Sequence, residues 1–84
     1  MNKTMNKSRT AKSSIAVARV NRLLASGEAR HRRVSAGLSL RAVAADVGVS
    51  AATLYYWENG QHTPRGDLAV RYLRYLERLE RELA

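Results

Sequence analysis

The chain has 84 residues, no cysteine and a formal net charge of +8. That length makes one small domain with a modest core, which needs compact helical packing or a partner; the lack of cysteine excludes disulfides and thiolate metal sites. No apolar run approaches the ~20 residues of a membrane span, and none resembles the core of a signal peptide.

The charge is unevenly placed. Residues 1–36 hold nine Lys/Arg against one acid, Glu28, whereas residues 37–65 hold two of each sign and residues 66–84 four of each. The whole excess sits in the first 36 residues. Such a chain favours polyanions, nucleic acid first among them.

Residues 1–12 carry Lys3, Lys7, Arg9 and Lys12 among Asn, Ser and Thr, with no apolar periodicity. They read as a disordered basic arm, either following DNA phosphates or the minor groove, or serving as a solvated tail. Residues 13–84 then form a single domain. Ser13 or Ser14 is a candidate cap for a helix from Ile15 to about Ser26, whose apolar stripe is Ala16, Val20, Leu23 and Leu24. This helix is expected to pack on the domain as an extra core helix, with a partner-binding or dimerising helix as the alternative. The acid-free first 27 residues also have the composition of an organelle transit peptide. Ser26 is the candidate cap of the next helix, Gly27 to Ala36, with Glu28 in the first turn, where an acid suits the helix dipole. Ala29, Arg33 and Ala36 face inward in this reading.

After Gly37, Ser39 can cap a helix over Leu40 to Asp46. Gly48 supplies the positive φ of a sharp turn, Ser50 caps a second helix over Ala51 to Glu58, and Asn59-Gly60 ends it. Two short helices joined by a tight glycine turn make a helix-turn-helix unit, here residues 39–59, whose second helix can enter a major groove. Val43, Ala44 and Val47 share one face of the first helix, and Leu54 and Trp57 one face of the second. Ala51, Ala52, Tyr55 and Tyr56 are left facing outward. Water does not favour that much exposed aromatic surface.

In the loop that follows, Pro64 fits a connection between helices. The backbone amides of Gln61 and His62, together with Arg65, are candidate phosphate contacts; a plain polar turn is the alternative. Asp67 can cap a long last helix, Leu68 to about Leu83. Ala69, Leu73 and Leu76 face the core, leaving Tyr72, Tyr75, Leu79 and Leu83 to pack against a twin helix in a two-fold dimer; covering the N-terminal helix of the same chain is the other use. Glu77–Arg81 and Arg78–Glu82 are i,i+4 pairs, each stabilising an exposed helix by ~0.2–0.5 kcal/mol. A dimer would set two recognition helices ~34 Å apart on a palindromic site.

The pattern Gly37-Leu38-Ser39, Val43-Ala44, Val47-Gly48-Val49-Ser50, Thr53-Leu54, Trp57-Glu58-Asn59-Gly60 and Pro64 resembles the Cro and lambda-repressor-like helix-turn-helix proteins, the XRE family of phage and bacteria. The resemblance covers roughly Ala29 to Leu76. It implies an all-α fold of about five helices, here with an extra N-terminal helix and a long C-terminal one. It also implies that Ala51, Ala52, Tyr55 and Tyr56 read bases and Thr53 contacts phosphate, beside the capping Ser50. Arg33 and Glu58 would form a semi-buried ion pair. The sequence departs from the family at Leu40, where a phosphate-contacting Gln is common; Arg41 is the neighbour that could replace it. The reading face also lacks the usual bidentate Gln, Asn and Arg, so thymine methyls and tyrosine hydroxyls would carry recognition.

The leading function is a sequence-specific DNA-binding regulator, a Cro-like repressor that occludes a promoter or operator. The alternative is a protein-interaction module, an antitoxin or transcription adaptor, using Tyr55-Tyr56 and Tyr72-Tyr75. An enzyme is not indicated, since there is no Cys, no Gly-rich phosphate loop and no carboxylate pair beside a histidine. Only His31 and His62 could ligate a metal through imidazole, so neither metal nor cofactor is expected. The expected partners are double-stranded DNA and a second copy of the chain. The domain is too small for a ligand pocket, and its basic N-terminal helix lacks the Trp and Phe of a membrane-surface helix. The expected location is the cytoplasm or nucleoid of a bacterial host.

Overall fold

The computed structural model describes residues 2–83, and their side chains from Ser14 onward. Every element in it is an α-helix: α1 (Asn2–Ala25), α2 (Glu28–Ser35), α3 (Leu40–Val47), α4 (Ala51–Glu58) and α5 (Gly66–Leu83). Among the described residues there is no strand. The all-α class and the five-helix count agree with the expectation from sequence.

The helix starts depart from it in three places. α1 begins at Asn2, so Ser13 and Ser14 lie inside a helix rather than capping one, and residues 2–12 continue α1 in place of the irregular arm expected there. No Gly or Pro occurs before Gly27, and once a helical turn exists each added residue costs little. α2 begins at Glu28, with Gly27 instead of Ser26 at its N-cap position, although Ser26 Oγ still accepts from the Glu28 amide at 3.3 Å. α5 begins at Gly66, which puts Asp67 in the first turn instead of at the cap. Its carboxylate there still suits the positive end of the helix dipole.

The core gathers small and apolar side chains from all five helices. Ala16 and Val20 come from α1 and Ala29 from α2; Val43, Ala44 and Val47 come from α3; Leu54 and Trp57 come from α4; Ala69, Tyr72, Leu73 and Leu76 come from α5. Burying each of the larger ones contributes about 1.5–3 kcal/mol. α1 packs chiefly on α5. The two run antiparallel: Arg19 meets Glu77 at 3.6 Å, while the last turn of α1 adjoins the loop before α5.

That packing corrects the reading of α5. Its C-terminal half lies along α1 and α2 of its own chain, the other use named for it. Arg32 of α2 pairs with Glu80 and donates to the Leu76 carbonyl at 3.2 Å. Tyr72, expected at a dimer face, is 1% exposed, with its ring 5.2 Å from that of Trp57. α5 must cover α1 on one side and the helix-turn-helix on the other, so its apolar face is wider than one stripe. Tyr75 is half-buried and donates to Asp46 Oδ2 at 2.7 Å; Leu79 is half-buried and Leu83 exposed. Of the two expected i,i+4 pairs, Arg78–Glu82 forms at 2.6 Å, whereas Glu77 turns to Arg19 instead of Arg81.

Candidate nucleic-acid interface

The interface is assembled by short-range hydrogen bonds that the local sequence dictates. Ser39 accepts from the Ala42 amide at 3.0 Å and starts α3. Gly48 ends it at φ +91°, a left-handed conformation that a side chain disfavours. Its amide and that of Val49 both donate to the Ala44 carbonyl, at 2.8 and 2.9 Å. Ser50 then starts α4, accepting from the Thr53 amide at 3.0 Å while its hydroxyl donates to Thr53 Oγ1 at 2.9 Å. The Thr53 hydroxyl is therefore an acceptor toward Ser50, and its own proton remains free for an outside acceptor such as a phosphate oxygen.

Leu54 and Trp57 anchor α4 in the core, which fixes what its other side presents. Ala52, Tyr55, Tyr56 and Asn59 are exposed, at i, i+3, i+4 and i+7, and Ala51 is half-buried beside them. Tyr55 and Tyr56 are 49% and 40% exposed. They do not hang free: their rings meet edge to face at 5.9 Å, and Tyr56 meets His62 edge to face at 5.3 Å. Such contacts are worth about 0.5–1.5 kcal/mol each and favour this arrangement of the tyrosine rings. Arg41, second residue of α3, and Arg65, just before α5, are both exposed.

Two of the candidate phosphate contacts are already engaged within the chain. The Gln61 amide donates to the Tyr56 carbonyl at 2.9 Å and the His62 amide to the same carbonyl at 3.4 Å. These bonds satisfy the Tyr56 carbonyl, one of those left over at the end of α4. Only the exposed side chains of Gln61 and His62 are available to a ligand.

The helix pair is held from behind by two arginines. Arg33 of α2 grips Glu58 with Nε to Oε2 at 2.7 Å and NH2 to Oε1 at 2.9 Å, and its NH1 donates to the Leu38 carbonyl at 3.0 Å. The bonds to Glu58 raise the Arg33 pKa above its already high value, against the opposing effect of burial. Burial, aided by the nearby Glu58 carboxylate, pushes the Tyr72 hydroxyl well above the ordinary tyrosine range. Arg71 of α5 donates to the Val47 carbonyl at 2.9 Å and seals the end of α3. Sequence reading missed Arg71, because nothing local links positions 24 residues apart. It also missed Asn59, whose Nδ2 donates to the Tyr55 carbonyl at 2.8 Å and whose i+4 spacing from Tyr55 was the available signal.

Two capped helices joined by a glycine turn, with one buried and one outward face on the second, define a helix-turn-helix DNA-binding unit. Residues 25–84 match the helix-turn-helix domain family, and the chain belongs to it. The match starts at the last residue of α1, so nearly all of that helix lies outside it. No curated protein and no solved structure matches the chain. Among the described residues, no helix is long and apolar enough to cross a membrane, and no group of three His, Asp or Glu is placed to hold a metal ion.

Proposed function

We propose that this chain is a sequence-specific transcription regulator of the Cro-like, XRE type, acting as a repressor that occludes a promoter in a phage or bacterial setting. The carrying observation is the pair Tyr55 and Tyr56, about half exposed on α4 yet packed edge to face with each other, and Tyr56 with His62. Solvent gives no reason to expose and order two tyrosines at the face that meets DNA. In this reading Ala51, Ala52, Tyr55 and Tyr56 meet base edges and thymine methyls. Ser50, Thr53, Arg41, Arg65 and the side chains of Gln61 and His62 meet phosphates. The basic residues 1–12 add attraction that is independent of sequence.

The protein would work as a homodimer in the bacterial cytoplasm, through the C-terminal end of α5, where Leu79 and the exposed Leu83 border a hollow with Tyr75 and Arg78. With Tyr72 in the core, the dimer surface is smaller than the sequence suggested. The adaptor or antitoxin reading loses half of its support for the same reason, since only Tyr55-Tyr56 remains as an exposed aromatic pair.

Selection from a random duplex pool at moderate salt, with a polyanion competitor, tests the proposal. Enrichment of an inverted repeat with half-sites about one turn, ~34 Å, apart supports both the regulator and the dimer. A single half-site keeps the regulator and removes the dimer. No enrichment over competitor overturns sequence-specific recognition.

A further inference from the structure

A groove of about 550 Å³ opens between α1, α2 and α5. No residue of α3, α4 or the loop after α4 lines it, so it lies apart from the candidate DNA face. Its floor is apolar, made by Leu23 and the nearly buried Leu73. Arginines stand around it: Arg19 and Arg22 on α1, Arg32 on α2 and Arg81 on α5.

The two carboxylates in the groove are already engaged. Glu77 pairs with Arg19 at 3.6 Å and Glu80 with Arg32. Arg32 is further held by Glu28 at 3.1 Å and by the Leu76 carbonyl. Because Glu77 faces Arg19 rather than its i+4 neighbour, Arg81 has no carboxylate partner among the described residues, and neither has Arg22. A groove with two leucines among charged side chains thus carries two exposed guanidiniums without a carboxylate partner among the described residues, Arg22 on α1 and Arg81 on α5.

We infer that this groove docks an acidic amphipathic segment of a partner protein. Apolar side chains at i and i+4 of such a segment would cover Leu23 and Leu73, and its carboxylates would take Arg22 and Arg81, whose planar forks suit bidentate pairing. Nucleic acid fits less well, since phosphates would meet Glu77 and Glu80 and would leave the apolar floor uncovered. Residues 1–12 of the same chain cannot serve, being basic. The groove depends on α1, which lies almost wholly outside the family match. Docking there leaves α4 free and makes the protein a bridge between DNA and an acidic partner. The peptide measurement needs no DNA and stands or falls apart from the regulator reading.

The probe is a labelled helix-forming peptide of about 16 residues with Leu at i and i+4, a few Glu flanking them and Ala elsewhere, followed by anisotropy against the full chain at ~0.1 M salt. A second peptide replaces each Leu by Ser. The expected result is binding of the Leu peptide, at least about tenfold weaker in the variant carrying R22E and R81E, and undisturbed by duplex DNA. Both arginines are exposed, so the variant should keep its melting curve; should it not fold, R22A with R81A is read in the same way. The inference is overturned by absence of binding, by equal affinity of wild type and variant, or by equal binding of the Ser peptide, which would signify only attraction to a +8 chain. Displacement by duplex DNA would also overturn it, by assigning the groove to nucleic acid.

Discussion

Arg33 and Glu58 are joined by two hydrogen bonds, 2.7 and 2.9 Å long, with only 11% and 3% of their side chains exposed. The third arm of the same guanidinium holds the Leu38 carbonyl. One side chain therefore fixes both the entry to α3 and the exit from α4, which are the two ends of the helix-turn-helix. Removing either partner leaves a nearly buried charge uncompensated. Glu58→Ala and Arg33→Ala should each destabilise by about 3–5 kcal/mol, read from urea midpoints. Arg33→Lys should recover only part of the loss, because an ammonium cannot reproduce the fork. An unaltered midpoint in Glu58→Ala would mean that water already carries the pair.

Gly48 and Arg71 form a second clamp, at the turn itself. A Cβ built on Gly48 would stand 2.7 Å from Arg71 NH1, and φ there is +91°. Gly48→Ala should therefore cost about 1–2 kcal/mol for the left-handed backbone, plus whatever is forfeited as Arg71 gives way from the Val47 carbonyl. Arg71→Ala alone should cost about 0.5–1.5 kcal/mol for that bond. The two costs should not add: in the Arg71→Ala background, Gly48→Ala should retain only its backbone cost. Strict additivity in this double-mutant cycle would show that the guanidinium moves aside freely.

What the sequence made legible was what is local. Ser39, Gly48 and Ser50 announce themselves because a cap bonds within three residues and a left-handed turn selects glycine. Tyr72 was misplaced because periodicity reports which face of α5 is apolar and is silent on what covers it. The choice between a twin helix and α1 depends on tertiary packing. The bond of the Gln61 amide was hidden for a related reason, since the end of α4 supplies an acceptor, the Tyr56 carbonyl, that competes with any phosphate. Leu23, Leu73, Arg22 and Arg81 come from opposite ends of the chain, and no spacing rule brings them to one groove.

Tyr56 should matter to DNA and not to the fold. Its ring is exposed and leans on His62 rather than on the core. Tyr56→Ala should weaken a selected site by about tenfold or more, the worth of one good base contact, while stability changes by no more than about 0.5–1 kcal/mol. His62→Ala should give a smaller loss, because it frees the ring without deleting it. Competition against unrelated duplex separates the two terms. Equal loss on specific and unrelated DNA would place Tyr56 on phosphate instead of on a base.

Residues 1–12 hold four cations, Lys3, Lys7, Arg9 and Lys12. If they lie on DNA, deleting them should reduce the slope of log affinity against log salt by about 0.9 for each phosphate that is no longer neutralised. Site preference should be kept, since the reading face is on α4. An identical slope in the truncated chain would make this segment a bystander in DNA binding.

Tyr75 links stability to alkaline pH. Burial first, and then its hydrogen bond to Asp46, push its hydroxyl up to about 12, from an ordinary value of about 10. Tyr72 moves in the same direction. Between about pH 10 and 12 the unfolded chain sheds phenolic protons that the folded chain keeps, so folding stability is complete below that window and falls as pH rises through it. Urea midpoints taken from about pH 9 to 12 should decline. Tyr75→Phe has no proton to lose there, so its decline should be shallower, with the remainder due to Tyr72. A Tyr75→Phe profile parallel to wild type would show that the bond to Asp46 does not hold the proton, and the alkaline decline would then rest on the buried Tyr72 alone.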